Sequence, residues 1–175
     1  MKDLTAFYAV VSGVCFTLLG LWWVAVQERP ELRRAESGSG RMAYLISLQF
    51  ALPGTAALLS QVAPSVPALW RTAFVLAGVT GAAGVLFMAP LLREVGRHRF
   101  LSLLRWAAVP LYLLIAIVAG VPGIGASPGG TGLTGAQLEG VLFCAMVLLG
   151  VQTAWAAAMV PESPRVDVKA PFSQF

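Results

Sequence analysis

Charge is what this sequence has least of. Asp, Glu, Lys and Arg make up 11% of its 175 residues, against about 25% in an ordinary soluble domain. Lysine is nearly missing, with Lys2 and Lys169 standing beside ten arginines, a bias that fits a GC-rich bacterial coding sequence. Histidine occurs once, at His98, and cysteine twice, at Cys15 and Cys144, with no CxxC pair. A structural zinc site takes four ligands and a catalytic one three, so no metal centre is expected. Haem is held by axial His, Met, Cys or Tyr, and the single His98 lies among arginines in "REVGRHRF"; no cofactor is expected either. A serine nucleophile needs a general base beside it, and Ser12, Ser47 and Ser60 have no His or carboxylate nearby in the sequence pattern. A lipid-modifying site using Arg93, Arg97, His98 and Arg99 around a phosphate is the weaker reading of the basic loop. The chain therefore reads as a non-enzyme, and both cysteines read as small apolar packing residues.

What fills the chain instead is apolar. Hydrophobic residues account for 58% and the mean hydropathy is +0.78. A membrane-spanning helix needs about 20 largely apolar residues, and five stretches satisfy this: about 4–26, 42–62, 69–92, 101–120 and 138–160. The fold expected is all-α: a polytopic membrane protein with one five-helix transmembrane domain over 1–160 and a polar tail over 161–175. The first stretch is longer than a signal-peptide core and no small-x-small cleavage pattern follows it, so it reads as a retained helix.

Lys and Arg distribute unevenly between the connections. Arg29, Arg33, Arg34, Arg41, Arg93, Arg97, Arg99, Arg105, Arg165 and Lys169 fall on one side of a five-crossing topology, and only Lys2 and Arg71 on the other. Positively charged loops stay cytoplasmic, which puts the N-terminus outside and the C-terminus inside, in a bacterial inner membrane. The net charge of +4 then means contact with anionic headgroups, through Arg33, Arg34, Arg93, Arg97 and Arg99, and not nucleic-acid binding. Trp22, Trp23, Tyr44, Trp106 and Trp155 at one boundary, with Tyr8 and Trp70 at the other, are expected to form interfacial belts.

Every Asp, Glu, Lys and Arg maps to a span end or a loop. Asp3 and Glu139 are placed near the outer surface and the other acids on the inner side, so no charge is expected at mid-membrane. Proton-coupled transport and voltage sensing depend on such charges and are excluded on this reading. The polar residues left inside are Gln49, Thr55, Thr80, Gln152 and Thr153. Gln49 and Gln152 match in depth, which allows an amide pair between the second and fifth helices. Pro53 and Pro110 each remove a helical hydrogen bond and are candidate kinks. Small residues recur at helix-contact spacing: Ala9, Gly13 and Thr17; Ala73, Ala77 and Gly81, bordered by Thr80 and Gly84; Gly150, Ala154 and Ala158. Two related words, "GVLFMAP" and "GVLFCAM", suggest related hairpins. "ERPELRRAE" suits a short surface helix from Pro30, and the uncharged "VPGIGASPGGTGLTGAQ" reads as a loose loop. The function expected is a helical membrane subunit or scaffold that assembles with itself or with membrane partners. The alternative is a small oligomeric channel or uncoupled facilitator lined by Gln49, Thr55 and Gln152.

Overall fold

A computed structural model of the chain describes residues 2–29, 38–62, 66–93, 98–121 and 134–159. They form five helices: α1 Lys2–Gln27, α2 Gly38–Val62, α3 Pro67–Arg93, α4 His98–Gly120 and α5 Gly135–Ala158. Each lies within a few residues of an apolar stretch read from the sequence. Four contain segments long and apolar enough to cross a membrane, namely Leu4–Gln27, Gly40–Val62, Pro67–Phe87 and Gly135–Ala158, while the described apolar part of α4, Trp106–Gly120, is shorter. Pro67 opens α3 at the one helical turn that lacks a use for its missing N–H. Thr134 opens α5 with a capping box: its hydroxyl accepts from the Gln137 amide and the Gln137 side chain accepts from the Thr134 amide. This reciprocal pair satisfies two helix-end donors and starts α5 ahead of the apolar run that marks it in the sequence.

Each helix packs on the next, and α5 returns against α1 to close the ring; α2 and α5 also touch across it. Trp22 meets Ala43 and Cys15 meets Gly54, so α1 and α2 run antiparallel. One end of the bundle therefore carries Tyr8, Trp70 and Leu138, and the other carries Trp22 and Met42. A large apolar cluster fills the Tyr8 end and the middle, with Phe74, Tyr112, Ile115, Phe143 and Met146 at its heart. A second, formed by Trp22, Val26, Met42, Ala43, Ile46, Phe50 and Ala157, fills the opposite end.

Glycine permits close approach at the α3–α4 and α2–α5 crossings, among others. A Cβ on Gly78 would lie 2.6 Å from the Tyr112 carbonyl oxygen, and one on Gly81 would strike the Tyr112 ring, so α3 and α4 meet at van der Waals distance at Gly78 and Gly81. At the α2–α5 crossing a Cβ on Gly150 would come within 3.1 Å of the Phe50 ring. The outside of the bundle is apolar too. Phe87 is 72% exposed and Val10 66%, and only 28% of the α1 apolar window is buried. Helices that are hydrophobic on their outward faces as well as their inward ones suit a lipid surrounding.

Candidate functional site

The three polar residues expected to line a path or bond one another go separate ways. Gln49 is buried on α2, with its Cβ 3.6 Å from the position a Gly150 Cβ would take. Pro53, four residues on, has no N–H to give the Gln49 carbonyl. Gln152 sits on the exposed face of α5, and no hydrogen bond links the two amides among the described residues. Thr55 is exposed as well, and its hydroxyl donates to the carbonyls of Ala51 at 2.8 Å and Leu52 at 3.0 Å of its own helix. The inward polar residue of the Gln152–Thr153 pair is Thr153, whose hydroxyl donates to Leu149 O at 2.8 Å. Thr80 faces outward. Pro53 is fully buried, Pro110 exposed, and each stands within a continuous helix.

Two aromatic residues read as interfacial markers are instead ties between helices. Trp22 is buried, and its indole N–H donates to Ala43 O at 3.0 Å; the Ser47 hydroxyl donates to the same carbonyl at 2.9 Å. Tyr8 is also buried, and its hydroxyl donates to Ala136 O at 2.8 Å, joining α1 to the first turn of α5. A polar tip that finds a backbone acceptor inside the bundle has no need of the headgroup layer. Trp23, Tyr44, Trp106 and Trp155 are exposed, and Trp70 is partly so, with the Arg71 guanidinium 5.3 Å from its ring centre.

Around Tyr8 the rings of three helices meet. Phe74 of α3 and Phe143 of α5 cross edge to face at 4.7 Å; Tyr8 lies 5.8 Å from Phe74 and 6.3 Å from Phe143, and Trp70 lies 5.6 Å from Phe74. Beside them stands Glu139. It was expected near the surface; it lies in the second turn of α5, completely buried, with neither carboxylate oxygen hydrogen-bonded. It is three residues from Ala136, which Tyr8 holds, and four from Phe143, so it shares their helix face. A signal for this was present. Glu139, Phe143, Met146, Gly150, Thr153 and Ala157, all buried, follow the alternating four-and-three spacing of a helix seam. Reading charge position along α5 without reading its face missed it. The unpartnered carboxyl in an aromatic setting is the most unusual chemistry among the described residues.

On the outer side of the α1–α5 seam lies a groove of about 150 Å³, lined by Leu4, Phe7, Gln137, Gly140, Val141 and Cys144. Phe7 rests on Gly140, where a Cβ would come within 2.9 Å of its ring. Cys144 is exposed here, so only Cys15 is the buried packing residue expected of both. Arg33, Arg34, Arg97, the "ERPELRRAE" segment, most of the Gly-rich loop and the tail lie outside the described residues, as do the side chains of Arg93 and Arg99. Among the described residues no cluster of His, Cys, Asp and Glu is arranged for a metal ion. No family model, no curated protein and no solved structure matches the chain.

Proposed function

We propose that the chain is a non-enzymatic, five-crossing subunit of a bacterial inner membrane, N-terminus outside and C-terminus cytoplasmic, that works by assembling with a second copy or with another membrane protein. Arg33, Arg34, Arg93, Arg97 and Arg99 are its contacts to anionic headgroups. The observation that carries the assembly reading is the fate of the three small-residue stripes. Ala73, Ala77 and Gly81 are buried inside the chain, Gly81 against Tyr112 of α4, and Gly150 lies against Phe50. Ala9, Gly13 and Thr17 face outward, and a Cβ on Gly13 or on Gly20 would touch nothing. Helices in lipid associate by close backbone approach along such stripes. The dispersal of Gln49, Thr55 and Gln152 offers no support to a pore through a single chain.

Replacing Gly13 by Leu tests this. The substitution meets no neighbour within the chain, so thermal stability of the solubilised protein should stay within about 0.5 kcal/mol, as for surface changes in general. The assembly, measured by native mass spectrometry and co-purification in mild detergent, should dissociate. A chain that is monomeric and without partners before the substitution, or an assembly that survives it, overturns the proposal.

A further inference from the structure

The buried carboxyl of Glu139 is not explained by packing. A carboxylate taken out of water without a cation costs several kcal/mol, and in a transmembrane helix such a group marks a site by default. Its neighbours narrow the class of ligand. The titratable group facing it from α1 is Tyr8, whose hydroxyl is engaged by Ala136 O. From α3 the nearest charge is Arg71, whose guanidinium lies against Trp70 and which forms no ion pair with Glu139 among the described residues. The facing ends of α2 and α4, Ser60–Val62 and Val118–Gly120, carry no charge, and on α5 itself the nearest titratable residue is the exposed Cys144. Among the described residues, a single carboxyl group stands beside the rings of Tyr8, Phe74, Phe143 and, through Phe74, Trp70. Rings offer a cation their negative faces, most strongly when both are desolvated.

We propose that the Tyr8 end of the bundle binds a lipophilic monovalent cation, an amine or onium ion, held by Glu139 and the rings of Tyr8, Phe74 and Phe143. Entry is by the α1–α5 seam. The groove of Leu4, Phe7, Gln137, Gly140, Val141 and Cys144 opens on the outward side of that seam, and Phe7, which lines it, packs edge to face against Tyr8 at 5.3 Å. A small or strongly hydrated cation has no polar entry there, whereas a lipophilic one partitions first into the groove. Divalent metals lack the further oxygen ligands they require.

The test uses the full chain in lipid nanodiscs with radiolabelled tetraphenylphosphonium as probe. Binding should saturate at one cation per chain. Glu139→Gln keeps size and hydrogen bonding but removes the charge, and should weaken binding about tenfold or more, in line with loss of a charged partner. Phe143→Leu should weaken it several-fold through the lost ring face. Triphenylphosphine oxide, neutral and of similar bulk, should not compete. Non-saturable uptake, unchanged affinity in Glu139→Gln, or equal competition by the neutral compound overturns the proposal. Should Glu139→Gln fail to fold, the competition experiment on the unaltered chain decides.

Discussion

A methyl group added at Gly81 would run into the ring of Tyr112, whereas at Gly78 it would meet the Tyr112 backbone oxygen and the amide and side chain of Ala116. The two clashes differ in kind. A ring can turn aside, while a backbone can yield only if α3 and α4 separate. Gly81→Ala and Gly78→Ala should each destabilise the protein by about 1–3 kcal/mol, the usual cost of overfilling a packed site. Tyr112→Leu should recover part of the loss for Gly81→Ala and none for Gly78→Ala, measured as thermal melting of the three single and two double variants. The small residues of α3 are legible in the sequence by spacing; which helix they meet is not, because spacing defines a face and not its neighbour. Trp22, Tyr8 and Glu139 show the complementary failure. Their chemistry suggests a water-facing end, but each sits on the inward face of its helix, and for Trp22 and Tyr8 a backbone carbonyl takes the place of water. Position along a helix alone misplaces such residues; position around it, read from the spacing to Phe143, Met146 and Gly150, recovers Glu139.

The helices themselves were legible because a run of about 20 apolar residues has few other uses. Their ends were less so. Apolarity marks where lipid contact begins, while Thr134 and Gln137 set the start of α5 by capping. The two prolines were visible as interruptions, but their surroundings were not. Pro53 is enclosed, and the next residue, Gly54, meets Cys15 and Phe16 of α1; Pro110 is exposed. Replacing Pro110 by Ala restores a donor for the Trp106 carbonyl without removing packed atoms, and should raise the melting point by an equivalent of about 1 kcal/mol. Replacing Pro53 by Ala restores a donor for Gln49 but empties a filled site and shifts the α1–α2 contact, so stability should fall by about 1–2 kcal/mol. Equal responses at the two sites would show that the backbone bond, and not the packing, governs both. The words "GVLFMAP" and "GVLFCAM" do not mark equivalent positions in space. Leu86 and Phe87 face outward near the far end of α3, while Leu142 and Phe143 face inward near the beginning of α5, so letter similarity here reflects a shared apolar alphabet.

Topology across the bilayer rests on loop charge, which helix packing neither requires nor opposes. A ring of five helices buries the same surfaces either way up. What distinguishes the two orientations is the cost of moving arginines across the membrane during insertion, and in the five-crossing topology proposed above ten Lys and Arg on one side against two on the other would bias insertion strongly. The exposed Trp23, Tyr44, Trp106 and Trp155 gather at that same Arg-rich end, where indole and phenol rings favour the headgroup layer. Single-cysteine chains check the result, with Cys15 and Cys144 changed to Ala so that no native thiol reports. A membrane-impermeant maleimide added to intact cells should label Ser127→Cys in the Gly-rich connection and leave Glu36→Cys unlabelled until the membrane is opened. Labelling of Glu36→Cys from outside would invert the molecule. It would then place the Tyr8 end, with Glu139 and its groove, on the cytoplasmic face, so that any cation reaching them from the bilayer would come from the inner leaflet.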